Sequence, residues 1–229
     1  MASPQEAHVL YQLMRRVLSP LARLIFRPRI EGLDNVPQNG AVILASNHLS
    51  FVDSLVIPLI VPRKVAFLAK AEYFHGKGVK GAISRWFFTM IGQIPVERGR
   101  GRAAKDALDV AIRVLAEGGA FGIYPEGTRS EDGRLYRGKT GVGRIALASG
   151  APVVPVALIG TERIQPIGKK LPRPYRVTVR FGAPLDFSRY EGMAHSTVIH
   201  RTVTDEIMYA ILELSGQEYV DTYHQRKAA

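Results

Sequence analysis

A histidine and an aspartate stand five positions apart, at residues 48 and 53, inside an apolar stretch of the chain. Side chains five apart on one continuous helix point about 140° away from each other. If a helix instead begins near Ser50, His48 lies on the preceding turn, and the side chain of Asp53 leans back toward it. The carboxylate would then fix one ring tautomer and leave the other imidazole nitrogen free as a general base.

The same aspartate also has a purely structural interpretation. Ser50 and Asp53 have the spacing of a loose capping box, in which Ser50 caps the helix and the carboxylate accepts free backbone N–H groups. The pattern alone does not decide between a catalytic pair and a helix start, and both interpretations stay open at this point.

A second polar stretch runs from Tyr124 to Ser130, directly after a predicted strand. Its Gly127-Thr128 turn can present backbone N–H groups, and the planar guanidinium of Arg129 suits a phosphate. A polar turn of this kind is also typical of an ordinary loop. The stretch therefore indicates a function only in combination with the first one.

The two stretches N-H-L-S-F-V-D and P-E-G-T-R-S together resemble the two most specific sequence blocks of the glycerophospholipid acyltransferase family. This family includes the 1-acyl-glycerol-3-phosphate acyltransferases. Two looser stretches, Gly92–Arg98 and Ala151–Val156, are similar to its second and fourth blocks. The order and spacing of the four blocks match over residues 40–160.

The resemblance implies a catalytic base, His48, with Asp53 as its partner. It also implies a substrate site made of Lys70, Arg98, Glu126, Gly127, Thr128 and Arg129. In that site Arg98 and Arg129 would hold the phosphate of the acceptor. The family's reaction needs no metal and no cofactor.

The reaction implied by the resemblance moves a fatty acyl group from acyl-CoA, or from acyl carrier protein, to the free hydroxyl of a lysophosphatidic acid. The product is phosphatidic acid, a precursor in phospholipid synthesis. The motifs leave open glycerol-3-phosphate, another lysophospholipid or a glycolipid as the acceptor.

The chain carries a strong positive charge, with 31 Lys and Arg residues against 20 Asp and Glu residues, a formal net charge of +11. Such an excess indicates a polyanionic partner. The resemblance assigns it to the phosphates of acyl-CoA, a phosphorylated acceptor and an anionic membrane surface, rather than to nucleic acid. A basic membrane-binding protein without catalysis is the alternative from a different class.

Three further patterns argue against other chemistries. Residues 133–140 match G-x-x-x-x-G-K-T, but no predicted strand immediately precedes them, so we expect no nucleotide-binding P-loop. His195 and His200 do not share a helix face, and the chain has no cysteine, so we expect no metal site. The absence of G-x-S-x-G argues against a nucleophile-elbow hydrolase.

Apolar runs and helical periodicities alternate along the chain. The runs predict strands at 41–46, 65–69, 120–124, 153–159 and 177–181. The periodicities predict helices at about 51–61, 81–91, 102–117, 141–149 and 195–215. The alternation predicts an α/β fold, a single layered domain with a mostly parallel mixed sheet flanked by helices.

The N-terminal residues 8–26 have a helical period with a broad apolar arc and an arginine-rich opposite arc. Such a helix either lies in a membrane interface or packs on the domain core. We expect an amphipathic membrane-associating helix over 1–27, an acyltransferase domain over 28–216 and a polar, loose C-terminal tail over 217–229.

The apolar residues 41–62 are interrupted by polar and ionisable side chains, which argues against a membrane span. The N-terminal residues do not have the pattern of a secretory signal. We therefore expect the protein at the cytoplasmic face of a membrane, as a peripheral or monotopic protein.

Overall fold

The computed structural model describes residues 16, 18–97, 102–166, 168–169 and 171–224. The strands of this part of the chain are β1 (Arg29–Glu31), β2 (Val42–Ser46), β3 (Val65–Lys70), β4 (Gln93–Val96), β5 (Ala120–Ile123), β6 (Leu135–Tyr136), β7 (Val153–Ile159), β8 (Thr178–Phe181) and β9 (Tyr219–Val220). Seven of them form one sheet in the order β1-β8-β7-β2-β5-β3-β4, and β6 pairs with β9 in a small second sheet.

The large sheet is parallel at every pairing except that between β7 and β8. The predicted α/β fold with a mostly parallel mixed sheet is therefore confirmed. Strands β1, β4, β6 and β9 were not among the strands predicted from apolar runs. Two or three residues are too few to establish an alternating pattern in β1, β6 and β9, and Pro95 interrupts the four residues of β4.

The helices are α1 (residues 18–26), α2 (Asp53–Ile60), α3 (Gly78–Met90), α4 (Arg102–Ala116), α5 (Gly141–Ser149), α6 (Thr161–Ile164) and α7 (Thr197–Ser215). The predicted helix at 141–149 has the observed bounds. The first helix after β2 begins at Asp53 instead of near Ser50, and the single turn α6 was not predicted. Residues 8–15 and 17 of the predicted N-terminal helix lie outside the described residues.

The helices pack on both faces of the sheet. On β2, Val42 and Leu44 point to one face and meet Ile57 of α2 in a buried cluster. Ile43 and Ala45 alternate to the other face, where α4, α5 and α7 supply apolar side chains to a larger cluster. The continuous apolar sequence of β2 is thus explained by burial on both sides, as expected for a central parallel strand.

Parallel strands direct their carboxyl ends to the same edge of the sheet. At this edge β2 ends just before His48, β5 ends just before Tyr124, and β3 ends at Lys70. Ligands of open α/β sheets bind at this edge. The strand order therefore brings together chemical groups that lie far apart in the sequence.

Residues 217–220 are attached to the domain, which corrects the expectation of a loose tail for this part of it; residues 225–229 lie outside the described residues. Gln217 accepts a hydrogen bond from Asn47 Nδ2 at 2.8 Å and donates one to the carbonyl of Gly133 at 2.6 Å. Residues 219–220 form β9, paired with β6. Residues 217–220 thus pack around the carboxyl edge of the sheet.

No helix within the described residues has the length and apolar character needed to cross a lipid bilayer.

Candidate active site

His48 and Asp53 are in contact. His48 Nδ1 lies 2.8 Å from Asp53 Oδ2, and the side chains are 14% and 0% exposed. The contact forms because α2 begins at Asp53, so that His48 lies on the turn between β2 and the helix. Within the described residues nothing hydrogen-bonds to Nε2, and the histidine lines a cavity. The arrangement gives an imidazole with one nitrogen held and the other available to a ligand.

The carboxylate of Asp53 also binds the backbone of the turn. Its Oδ2 accepts the N–H groups of Leu49 at 2.7 Å and Ser50 at 2.8 Å. The predicted cap by Ser50 is wrong, since its hydroxyl donates to the carbonyl of Gln165 at 2.9 Å and α2 has no side-chain cap. Asp53 Oδ1 is buried and has no hydrogen-bond partner among the described residues.

Tyr124 forms a platform for the imidazole that the sequence did not predict. Its ring stacks on the ring of His48, with 3.9 Å between the centroids and 9° between the planes. On its other contact, the centroid of the Phe67 ring lies 5.4 Å from that of Tyr124. Its hydroxyl shares a hydrogen bond of 3.1 Å with Ser54 Oγ. Burial raises the pKa of Tyr124 well above its ordinary value, and the charge of Asp53 adds to the rise. The platform is therefore a neutral phenol.

Asn47 fixes the end of β2 to the neighbouring strand. Its Oδ1 accepts the N–H of Leu158 at 2.8 Å, and its Nδ2 donates to the carbonyl of Leu158 at 2.9 Å. The same Nδ2 donates to Gln217. Asn47 is fully buried, and these bonds satisfy a polar group that would otherwise be costly to bury. They fix the backbone that carries His48.

Glu126 supports the site from behind rather than lining the cavity. It is 2% exposed, and its two oxygens accept the N–H groups of His48 at 3.3 Å and Tyr136 at 3.0 Å. Burial raises the pKa of Glu126 to about 7, and the charges of Asp132 and Asp53 add to the rise against the opposing backbone hydrogen bonds. Both carboxylate oxygens of Glu126 therefore bind backbone N–H groups, and Glu126 does not make the substrate contact that the resemblance implies.

A cavity of about 500 Å³ opens beside His48. Its cationic part is formed by Lys70, Arg129 and Lys139. Gly127 and Thr128 also line it, as the resemblance implies. Its apolar walls are formed by Phe51, Phe67, Tyr73, Phe88, Leu108 and Ile145, among others. Arg98, the remaining predicted phosphate ligand, lies outside the described residues.

Gly127 is favoured by its backbone conformation and lies against the side chain of Lys139. Its φ is +73°, in the left-handed region, and a Cβ at this position would lie 2.9 Å from Lys139 Nζ. Lys139 is held there because its backbone N–H donates to the carbonyl of Pro125 at 2.8 Å. The glycine thus lets a lysine from a later segment approach the cavity.

The P-loop pattern at 133–140 does not form a phosphate cradle. The N–H groups of Leu135 and Tyr136 donate to the carbonyl of Glu218 and to Glu126 Oε2. The N–H of Arg137 donates to carbonyls at Val220 and Thr222. A P-loop needs such groups free for phosphate, so this segment serves as strand β6.

The sequence model of the acyltransferase family matches residues 27–159, which contain both specific blocks. The chain belongs to the acyltransferase family. This match confirms the resemblance recognised in the sequence.

Several members of this family are similar to the chain. It is 34% identical over 146 residues to a chloroplastic 1-acyl-sn-glycerol-3-phosphate acyltransferase of Arabidopsis thaliana, over 63% of this chain and 39% of the relative. A 1-acyl-sn-glycerol-3-phosphate acyltransferase of Bacillus subtilis is 29% identical over 178 residues, with 77% and 82% covered. The chain spans 39–54% of the length of its first plant relatives.

The fold is similar to the crystal structure of PlsC, the 1-acyl-sn-glycerophosphate acyltransferase of Thermotoga maritima. The TM-score is 0.68 at 25% identity, and the match covers 93% of this chain and 84% of the other. The α/β architecture of the acyltransferase is therefore shared.

Proposed function

We propose that the protein transfers a fatty acyl group from acyl-CoA to the free hydroxyl of a lysophosphatidic acid, which gives phosphatidic acid. One observation carries the proposal. His48, held by Asp53, lies on the wall of a cavity that has a cationic part and apolar walls. Such a cavity suits a ligand with a phosphate at one end and an acyl chain at the other. The names of the relatives support the same substrate class.

His48 is the proposed general base. Its Nε2 removes the proton of the glycerol hydroxyl as that oxygen attacks the thioester carbonyl. Asp53 holds the ring and stabilises the imidazolium. The imidazolium then returns the proton to the departing thiolate, which leaves as the free thiol of coenzyme A. The substrate hydroxyl is the nucleophile, so the mechanism needs no acyl-enzyme, and the chemistry described requires neither a metal nor a cofactor.

The tetrahedral oxyanion needs hydrogen-bond donors. Backbone N–H groups at the start of α2 are candidates, whereas those of Leu49 and Ser50, just before the helix, already donate to Asp53. We therefore exclude these two groups as oxyanion donors. Their role is to hold the carboxylate that orients His48.

The phosphate of the acceptor is proposed to bind the cationic part of the cavity, with Arg129, Lys70 and Lys139 as its ligands together with Arg98. Gly127 and Thr128 shape the same wall. Lys70 Nζ lies 3.6 Å from the exposed carboxylate of Glu72, a weak surface pair that a phosphate can outcompete. The donor is proposed to be acyl-CoA, and acyl carrier protein is the alternative.

The lipid acceptor places the enzyme at a membrane, proposed to be the cytoplasmic face. In α1, Leu21, Leu24 and Ile25 are exposed, and the helix also presents Arg23. This supports an interfacial N-terminal segment. We keep the division into this segment (1–27), the catalytic domain (28–216) and a C-terminal segment (217–229) as part of the proposal.

The proposal is tested by measuring thiol release from acyl-CoA with a panel of acceptors. Lysophosphatidic acid should give the largest kcat/KM, and glycerol-3-phosphate, other lysophospholipids and a glycolipid should give less. A higher kcat/KM with another acceptor would retain the chemistry and change the substrate. Absence of thiol release with every acceptor, from acyl-CoA and acyl carrier protein alike, would leave a non-catalytic basic membrane-binding protein.

A further inference from the structure

Helix α3 has an apolar stripe that no part of the described chain covers. Val79, Ile83 and Trp86 follow one another at helical spacing, and they are 76%, 60% and 53% exposed. Their directions around the helix axis differ by at most about 60°. We call these three residues the α3 stripe. An exposed apolar surface of this kind marks an interaction site.

The residues around the stripe are basic. Lys77, Lys80 and Arg85 are exposed, and the sequence from 74 to 90 contains no Asp or Glu. Lys80 and Arg85 lie on either side of the stripe at 100° per residue. A helix with an apolar stripe between basic side chains has the composition of an interfacial helix on an anionic membrane. Tryptophan is also enriched at the membrane–water interface.

The opposite side of α3 belongs to the cavity. Phe88 lies about 180° from Val79 around the helix, is buried, and lines the cavity together with Tyr73. The two rings stack at 4.7 Å. One helix thus presents one face to solvent and the other to the site, so a lipid surface against the stripe would be separated from the cavity by the width of α3, about 10–12 Å.

The stripe and α1 lie on the same face of the sheet, on either side of α2. Phe87 of α3 and Leu55 of α2 pack against the same buried cluster, to which Phe88 of α3 belongs. On the other side, Phe26 of α1 and Val56 of α2 pack against the same buried cluster, which contains Val52. The two exposed apolar surfaces therefore flank one helix on the same face of the sheet.

We propose that the α3 stripe inserts into the interface of an anionic phospholipid bilayer and forms a second membrane contact beside α1. The contact places the cavity at the level of the lipid head groups. A lipid acceptor then reaches His48 without leaving the membrane surface, a consequence that rests on the proposed acyltransferase function. The partner is a bilayer rather than a protein, because the stripe is short, surrounded by positive charge and adjacent to a proposed lipid site.

The first test uses Trp86, the only tryptophan of the chain. Full-length protein is titrated with vesicles of phosphatidylglycerol, and with phosphatidylcholine as the comparison, while tryptophan emission is recorded. Insertion predicts a blue shift with the anionic vesicles, weakened at high salt, protection from iodide, and quenching by lipids brominated along the acyl chain. Protein that floats with the vesicles but keeps an exposed, iodide-quenched Trp86 would overturn the proposal, because another segment would then be the only anchor.

The second test removes the apolar surface and keeps the reporter. Val79→Gln combined with Ile83→Gln should weaken vesicle binding by about ten-fold per side chain, since each loses the burial of a partly exposed aliphatic group. Val198→Gln on α7 is the matched control, because Val198 is 70% exposed and lies on the opposite face of the sheet. Equal binding by the double variant and the control would contradict the proposal.

Thiol release separates this inference from the proposed function. The double variant should keep the wild-type rate with a short-chain lysophosphatidic acid dissolved as monomers, and lose rate with a long-chain acceptor held in vesicles. Loss of both rates would indicate damage to the site, and would overturn a role confined to membrane contact. A blue shift that grows with protein concentration in the absence of vesicles would assign the stripe to self-association instead.

Discussion

The replacement Asp53→Asn tests whether the carboxylate is catalytic. The two backbone N–H groups of Leu49 and Ser50 donate to Oδ2, so the amide oxygen of the asparagine must take that place. If the asparagine amide were flipped, its NH2 group would face the N–H groups of Leu49 and Ser50, and donors would then meet donors. His48 Nδ1 therefore still meets an oxygen, and the histidine keeps its orientation. The amide nitrogen occupies the buried place of Oδ1, which has no partner among the described residues.

The expected loss of rate follows from the lost charge. The variant exchanges a charge-assisted hydrogen bond to the imidazolium, of about 1.5–3 kcal/mol, for a neutral one. Since a neutral hydrogen bond retains about 0.5–1.5 kcal/mol of this, the loss is about 1–1.5 kcal/mol, and we expect kcat to fall by about 5- to 13-fold. The buried, unpaired amide should also lower the free energy of unfolding by about 1–3 kcal/mol. If Asp53 only stabilised the start of α2, stability would fall by about 0.5–2 kcal/mol and kcat per folded molecule would stay unchanged.

The two effects are measured separately, kcat by thiol release and stability by urea unfolding. Asp186→Asn is the matched control, since Asp186 Oδ1 accepts the N–H of Ser188 at 3.0 Å in an exposed turn away from the cavity. The control should lose stability without losing rate. An Asp53→Asn enzyme with wild-type kcat would refute the assignment of this carboxylate to catalysis.

Three further predictions concern the surroundings of the pair. Tyr124→Leu should lower kcat while Tyr124→Phe retains most of it, because the stacked ring rather than the hydroxyl fixes the imidazole plane; comparable losses in both variants would contradict this. Arg129→Ala should raise KM for lysophosphatidic acid about 10-fold or more, as expected for a lost charge-assisted contact, and leave KM for acyl-CoA unchanged. Burial raises the pKa of Glu126 from 4.5 to about 7 in the folded protein, which therefore holds its proton more tightly than the unfolded chain does. The resulting contribution to the free energy of unfolding is full below pH 4.5 and is lost as pH rises through 7. The free energy of unfolding should fall by up to about 3 kcal/mol over that range, and Glu126→Gln should flatten the profile in urea unfolding.

The sequence predicts the parts of the site whose geometry is local. His48 and Asp53 are separated by one turn, and the start of a helix after a buried strand is enough to bring them together. The alternation of elements likewise predicts the parallel sheet, because a crossover between parallel strands needs a helix. These features depend on neighbouring residues, which a single sequence displays directly.

The supporting contacts are not local and therefore could not be predicted. Asn47 meets Leu158 and Gln217, which are 111 and 170 positions away. Glu126 reaches the backbone of His48 across 78 positions. Each contact depends on the strand order β7-β2-β5, which neither periodicity nor turn chemistry specifies. A polar side chain after a strand looks the same in a sequence whether it faces a substrate or a neighbouring strand.

Asp53 shows why the catalytic and the structural interpretation of one motif need not exclude each other. The Oδ2 atom that meets His48 also accepts the N–H groups that begin the turn into α2. The backbone bonds fix the carboxylate, and the carboxylate fixes the imidazole, so the same bonds that stabilise the turn set the geometry of the proposed base. A loss of stability in a variant of Asp53 is then expected under both interpretations. Only the rate per folded molecule separates them.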